Sequence, residues 1–212
     1  MVEKKLINLD SHILDVGCGD GNFLNILKKG GFKNLTGFDL FIDEINMIEG
    51  ITIYKSSLED FKSDKKFDLV TSIHSFEHMN NQLINLQCLE NLVNDDGIVV
   101  IRIPIKSDFF WKKYGVNWHQ IDAPRHFFLH TIKSFKILCS KTNLNVVDVI
   151  CDSYDNCMMD CEKYSRNISM RDDEWSTFTL DKNTMDEFKK QVDELNTNNE
   201  AEQAIFVLKL TD

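Results

Sequence analysis

Proline is almost missing from this chain, two residues in 212, which excludes the proline-rich linkers that join independent modules. Long apolar runs are missing too: no stretch approaches the roughly 18 apolar residues of a membrane span. The opening MVEKKLINLDSHILD lacks the apolar core of a secretory signal, so a cytoplasmic setting is expected. The six cysteines (Cys18, Cys88, Cys139, Cys151, Cys157 and Cys161) form no C-x-x-C pair, which reads as free thiols rather than a disulfide frame or a zinc ribbon. Surplus positive charge is also absent. A formal charge of −10 disfavours general nucleic-acid binding, because phosphate backbones must be met by excess Lys and Arg.

What is there is unevenly spread. From Arg102 to Lys141 eight Lys/Arg face only Asp108 and Asp122, a local +6 that leaves −16 on the rest. Between Ser153 and Glu200 twelve acidic residues face six basic ones, and this segment reads as a solvated, partly helical insertion, 153–200. Elsewhere short apolar runs alternate with helical patterns: HILDVG then NFLNILKKG, NLTGFDL then FIDEINMI, ITIY, FDLVTSI then NQLINLQCLENLV, and GIVVIRIP. Such alternation predicts an α/β domain spanning 1–212, with a largely parallel sheet between helices. NVVDVIC and AIFVLKL add two later strands on either side of the acidic insertion.

The first strand-to-helix turn, LDVGCGDGNFL, places Gly17, Gly19 and Gly21 where a ligand can approach the backbone at a helix N-terminus. A dinucleotide fingerprint would need a third glycine at Asn22, so the spacing is G-x-G-x-G instead. Eighteen residues after Gly21, GFDL ends the second strand on Asp39, whose carboxylate suits the hydroxyls of a ribose.

With these elements in order, the chain resembles the class I S-adenosylmethionine-dependent methyltransferases, broadly those acting on small molecules. LDVGCGDGNFL is similar to that family's first motif, GFDL to its second, SSLEDF to its third, FDLVTSIHSFEHM to its fourth and GIVVIRIP to its fifth. The resemblance implies a three-layer αβα sandwich with a seven-stranded sheet in the order 3-2-1-4-5-7-6, the last strand antiparallel. It implies S-adenosyl-L-methionine as cofactor. Asp15, Gly17, Cys18, Gly19 and Gly21 would meet its methionine end, Asp39 its ribose, and Leu40, Ser57 and Leu58 the adenine side, with Ile73 and His74 bordering the same place. Ser57 stands where many relatives carry an aspartate.

His74-Ser75-Phe76-Glu77-His78 spells H-x-x-E-H, a zinc-peptidase pattern when it lies within a longer helix. Here it follows FDLVTSI at a strand end. The reading preferred is that Glu77 and His78 cap and hydrogen-bond this loop, and no metal is expected. Some relatives that methylate quinone precursors carry acidic residues and a His at the positions matching His74, Glu77 and His78 and are thought to use a metal ion nearby, but His74 replaces the first acid, and hard cations prefer oxygen ligands. Acceptor choice is expected from 104–130, with seven aromatics between Phe109 and Phe128. They serve either as a buried lid or as contacts to an anionic or ring-bearing small molecule. His126 and, second, His119 are the candidate general bases, with Glu77 or Asp122 orienting them. The alternative is a non-catalytic module that keeps the fold. Only about eleven residues precede the first strand, which leaves room for a minimal member, a fragment or a chain completed by a partner; oligomeric state is not legible.

Overall fold

A computed structural model of the chain describes residues 7–43, 47–48 and 50–211. In order, the elements are β1 (His12–Val16), α1 (Asn22–Lys29), β2 (Asn34–Asp39), β3 (Met47–Ile48), β4 (Ile51–Lys55), β5 (Phe67–Ile73), a 3-10 turn (Phe76–His78), α2 (Gln82–Leu92) and β6 (Val93–Pro104). Then come α3 (Asp108–Tyr114), 3-10 turns at Gly115–Asn117 and His119–Ile121, α4 (Ile132–Cys139), β7 (Leu144–Cys151), α5 (Cys157–Ser165), α6 (Asp173–Thr177), α7 (Lys182–Thr197) and β8 (Gln203–Leu210). The strand order is β3-β4-β2-β1-β5-β6-β8-β7. Without the two-residue edge strand β3, this is the seven-stranded order 3-2-1-4-5-7-6, mostly parallel with the last strand antiparallel.

The helix expected over residues 41–48 lies partly outside the described residues. Its described end is extended: Met47–Ile48 pairs antiparallel with Ile51–Thr52. Gly50, at φ +76°, makes the tight reversal between them.

The chain divides into two compact units. The first comprises Met1–Ile103, Ile132–Val149 and Phe206–Asp212. At its centre β1 pairs in parallel with β2 on one side and β5 on the other. Strands covered on both faces carry continuous apolar runs, and Ile13, Leu14, Val16, Val70 and Ile98 are fully buried accordingly. Because the chain leaves β1 in one direction for β2 and later returns on the other side for β5, a crevice opens at the carboxyl end of β1, where such sheets bind ligands.

The second unit comprises Pro104–Thr131 and Ile150–Ile205. Its core joins Phe110, Tyr114 and Trp118 to Cys157, Met158, Cys161, Phe188, Val192 and Leu195. The acidic segment is therefore more than a solvated insertion. On α7, Phe188, Val192 and Leu195 recur at helical spacing and are buried, each contributing about 1.5–3 kcal/mol, while the charges occupy the opposite face. Asp181 caps this helix by accepting from Thr184 N at 3.1 Å.

Candidate functional site

The turn after β1 is held to the sheet by backbone bonds: Gly17 N and Cys18 N both donate to Phe38 O, at 2.9 and 3.1 Å. Gly17, Gly19 and Gly21 have φ of +70°, +51° and +78°, a region that side chains enter only at a cost. At Gly17 space is forbidden as well, because a Cβ would stand 2.3 Å from Ser75 Oγ and 2.4 Å from Ser75 Cβ. Ser75 Oγ in turn donates to Val16 O at 2.8 Å, locking the turn to the loop after β5. At Gly19 the situation is reversed: nothing lies within 4 Å of a Cβ position, so the backbone there is open to a ligand.

Asp39, at the end of β2, reaches across the same opening. Its Oδ2 accepts from Gly19 N at 3.0 Å and its Oδ1 from Phe41 N at 2.8 Å. Each oxygen keeps a further lone pair for a hydroxyl. Next to it Leu40 and Phe41 are exposed, an apolar surface suited to a flat ring. Ser57, in the loop after β4, spends its hydroxyl locally, donating to Asp60 Oδ2 at 2.6 Å, and Leu58 is buried.

Asp15 lies beneath the turn, 3% exposed. Burial pushes its pKa up to about 7, opposed by the hydrogen bond from Thr71 Oγ1 and assisted by the negative charge of Asp39. The Cys18 thiol is driven up to about 12, first by burial and then by Asp15 and Asp39. It is a packing group rather than a thiolate nucleophile.

The H-x-x-E-H stretch does not lie within one helix. His74 stands apart at φ +52°, and only Phe76–His78 forms a 3-10 turn, so the two imidazoles do not share the helix face a peptidase zinc site requires. The loop is bonded through its backbone, His78 N to Ser75 O and Met79 N to Phe76 O, both at 3.1 Å. Glu77 does not take the hydrogen-bonding role expected of it. It is 1% exposed, and among the described residues neither carboxylate oxygen receives a hydrogen bond. Its Oε1 lies 3.4 Å from His74 Nδ1, while His74 Nε2 is 2.9 Å from Arg102 Nη1. Ile73 ends β5 half-buried beside them. A buried carboxylate with an imidazole beside it and no hydrogen bond is a candidate functional group.

In the second unit the aromatics of 104–130 divide. Phe110, Tyr114 and Trp118 are buried, whereas Trp111, Phe127 and Phe128 are exposed. The cations are partly committed: Arg125 forms a two-armed pair with Asp122, Nη2–Oδ2 at 2.6 Å and Nε–Oδ1 at 3.0 Å. Lys113 Nζ lies 4.7 Å from the Phe188 ring centre. His126 places Nδ1 2.8 Å from Gln120 O, which makes Nδ1 the donor and Nε2 the basic atom. Nε2 is 3.6 Å from Asp122 Oδ2. His119 is surrounded differently, by Cys161, Tyr154 and Glu202.

A mostly parallel sheet with this strand order, opening at β1 between a glycine turn and an acid at the end of β2, defines a Rossmann-like methyltransferase fold. The sequence profile described as a methyltransferase domain matches residues 3–149. The chain belongs to this family, the class I methyltransferases, whose cofactor is S-adenosyl-L-methionine. Ubiquinone biosynthesis O-methyltransferase of Actinobacillus pleuropneumoniae is 30% identical over 101 residues, 41% of this chain and 43% of that protein. The chain thus spans less than half the length of this curated relative. A methyltransferase from Archaeoglobus fulgidus aligns with TM-score 0.57 and 20% identity over 94% of this chain and 86% of its own. The Burkholderia thailandensis 1,6-didemethyltoxoflavin-N1-methyltransferase aligns with TM-score 0.58 and 12% identity over 96% and 72%. Among the described residues no helix is long and apolar enough to cross a membrane.

Proposed function

We propose that this chain transfers the methyl group of S-adenosyl-L-methionine to a hydroxyl or amine of a small-molecule acceptor. The observation that carries this reading is the pairing of Gly19 with Asp39: open backbone at one and an acid directed at the same place from the next strand. The cradle fits the cofactor, since a side chain at Gly17 would collide with Ser75 whereas the space at Gly19 stays clear. The methionine end would lie against the Gly17 to Gly21 turn above Asp15, its carboxylate toward the N-terminus of α1. Asp39 would take the ribose hydroxyls, and Leu40 and Leu58 would border the adenine.

The bound cofactor supplies an electrophilic methyl group on a sulfonium, whose carbon–sulfur bonding pair stays on sulfur as the acceptor's lone pair forms the new bond. The protein's part is orientation and removal of one acceptor proton. His126 Nε2 is the proposed base, because the Gln120 carbonyl fixes the tautomer and Asp122 stabilises the imidazolium. Glu77, buried and without a hydrogen bond, would hold a cationic or hydroxyl group of the reacting pair. Exposed Trp111, Phe127, Phe128 and Lys112 suit a ring-bearing or anionic acceptor.

The experiment is transfer of a labelled methyl group from the cofactor to a panel of phenols, alcohols and amines. Label appearing in one chemical class supports the reading. Tight cofactor binding with no transfer to any member of the panel would favour the non-catalytic alternative.

A further inference from the structure

The second unit encloses a set of side chains that the methyl transfer proposed above, with His126 as base, does not use. His119 comes from the 3-10 turn after Trp118, Cys161 from α5 and Glu202 from the residue before β8. One donor atom from each lies within 4.8 Å of the others. Cys161 and Glu202 are fully buried and the His119 side chain is 14% exposed. We propose that His119, Cys161 and Glu202 bind a thiophilic divalent cation of the zinc type.

Two observations point inward independently of the clustering. Glu202 Oε2 accepts a hydrogen bond from Trp118 Nε1, while Oε1 is buried without a hydrogen bond, 3.5 Å from His119 Nε2. Burial keeps this carboxyl protonated in the metal-free protein, and a cation entering here would take the place of that proton. Second, the tautomer of His119 is set from outside. Tyr154 donates its hydroxyl proton to Asp160, so its oxygen accepts from His119 Nε2, 3.3 Å away. That leaves Nδ1 as the lone-pair atom, and Nδ1 is the nitrogen facing Cys161 Sγ at 3.4 Å. Partners of this kind orient metal ligands.

The spacing is compatible with the ion. Zinc takes sulfur at about 2.3 Å and nitrogen or oxygen at about 2.0–2.2 Å, so tetrahedral ligands stand about 3.3–3.8 Å apart. The Nδ1–Sγ distance already has this value, and the widest separation must close by roughly 1 Å. Cys157 lies one helical turn before Cys161 on the same face of α5, fully buried, and offers a fourth donor. Burial holds the Cys161 thiol protonated in the free protein, opposed by the backbone N–H of His119. A bound cation reverses that preference, and the thiol proton is released on binding. The ion would tie the 104–131 segment to the acidic segment, two stretches otherwise joined through an apolar core.

Cobalt(II) added to the chelator-treated full chain tests this. One equivalent should bind with a near-ultraviolet thiolate-to-metal absorption band, zinc should displace it, and Cys161→Ser should lose the band and at least tenfold in affinity. Zinc should also protect Cys161 of the wild-type chain from alkylation, read by peptide mass spectrometry, which holds even if the serine variant fails to fold. Absence of the band, or alkylation at an unchanged rate with zinc present, overturns the assignment. Neither readout depends on methyl transfer.

Discussion

Lowering the pH from 7.0 to 5.5 is expected to weaken S-adenosylmethionine binding through Asp15. In the free protein this carboxyl has a pKa of about 7, raised chiefly by burial. The cofactor brings a sulfonium and an ammonium, whose positive charge favours ionised Asp15, so the complex binds one proton fewer than the free protein. Affinity therefore rises as pH climbs toward 7 and levels off above it. With the complex pKa well below 5.5, the ratio of affinities is (1 + 10^1.5)/(1 + 1), roughly 16-fold. The ligand's own α-amino group, with a pKa of about 7.7–8.0, stays charged across this window. Isothermal calorimetry at the two pH values measures the ratio, and in buffers of different ionisation enthalpy it counts the released proton. Histidines titrate in the same range, so Asp15→Asn is the control: its affinity should vary much less with pH. A wild-type affinity that is flat between pH 5.5 and 7.0, or a slope unchanged in Asp15→Asn, refutes the coupling.

Gly17→Ala combines a left-handed backbone with collision against Ser75, and thermal denaturation should show a loss of about 2–4 kcal/mol; a neutral effect would mean the turn is not held as described. His126→Ala should lower kcat by about 10² to 10⁴ with cofactor affinity unchanged, and a loss below tenfold would leave this histidine as architecture. Glu202 has its pKa pushed up to about 8 by burial, against an ordinary value of 4.5. The metal-free protein should consequently lose stability as pH rises from about 4.5 to 8, by an amount of the order of a few kcal/mol. In Glu202→Gln that decline should shrink, and an equal decline in both proteins would contradict the burial of an ionising carboxyl there.

The glycine turn and the strand end that carries Asp39 were legible because their signals are local. Gly17, Gly19 and Gly21 mark a turn through backbone conformation alone, and Asp39 follows from its place at a strand end. Glu77 was not, since its burial beside His74 without a hydrogen bond depends on what the folded chain packs around it, which no motif states. The acidic segment misled for a different reason. Its charge count describes the outer face of α7, whereas Phe188, Val192 and Leu195 form a stripe that builds a core with residues some seventy positions earlier. The His119, Cys161 and Glu202 cluster lies at the same limit: single residues far apart in sequence, without a motif, joined only by tertiary structure. Over 41–48 an apolar pattern of helical spacing gave way at its described end to pairing with β4, a tertiary preference overriding a short local one.

The most direct test of the central claim is calorimetric titration of the chain with S-adenosylmethionine, S-adenosylhomocysteine and NAD, each against wild type and Asp39→Ala. The account predicts that the first two bind and NAD does not, and that Asp39→Ala weakens them by about 1–3 kcal/mol through the lost carboxylate bonds. Binding of NAD with no heat from either sulfur compound would contradict it.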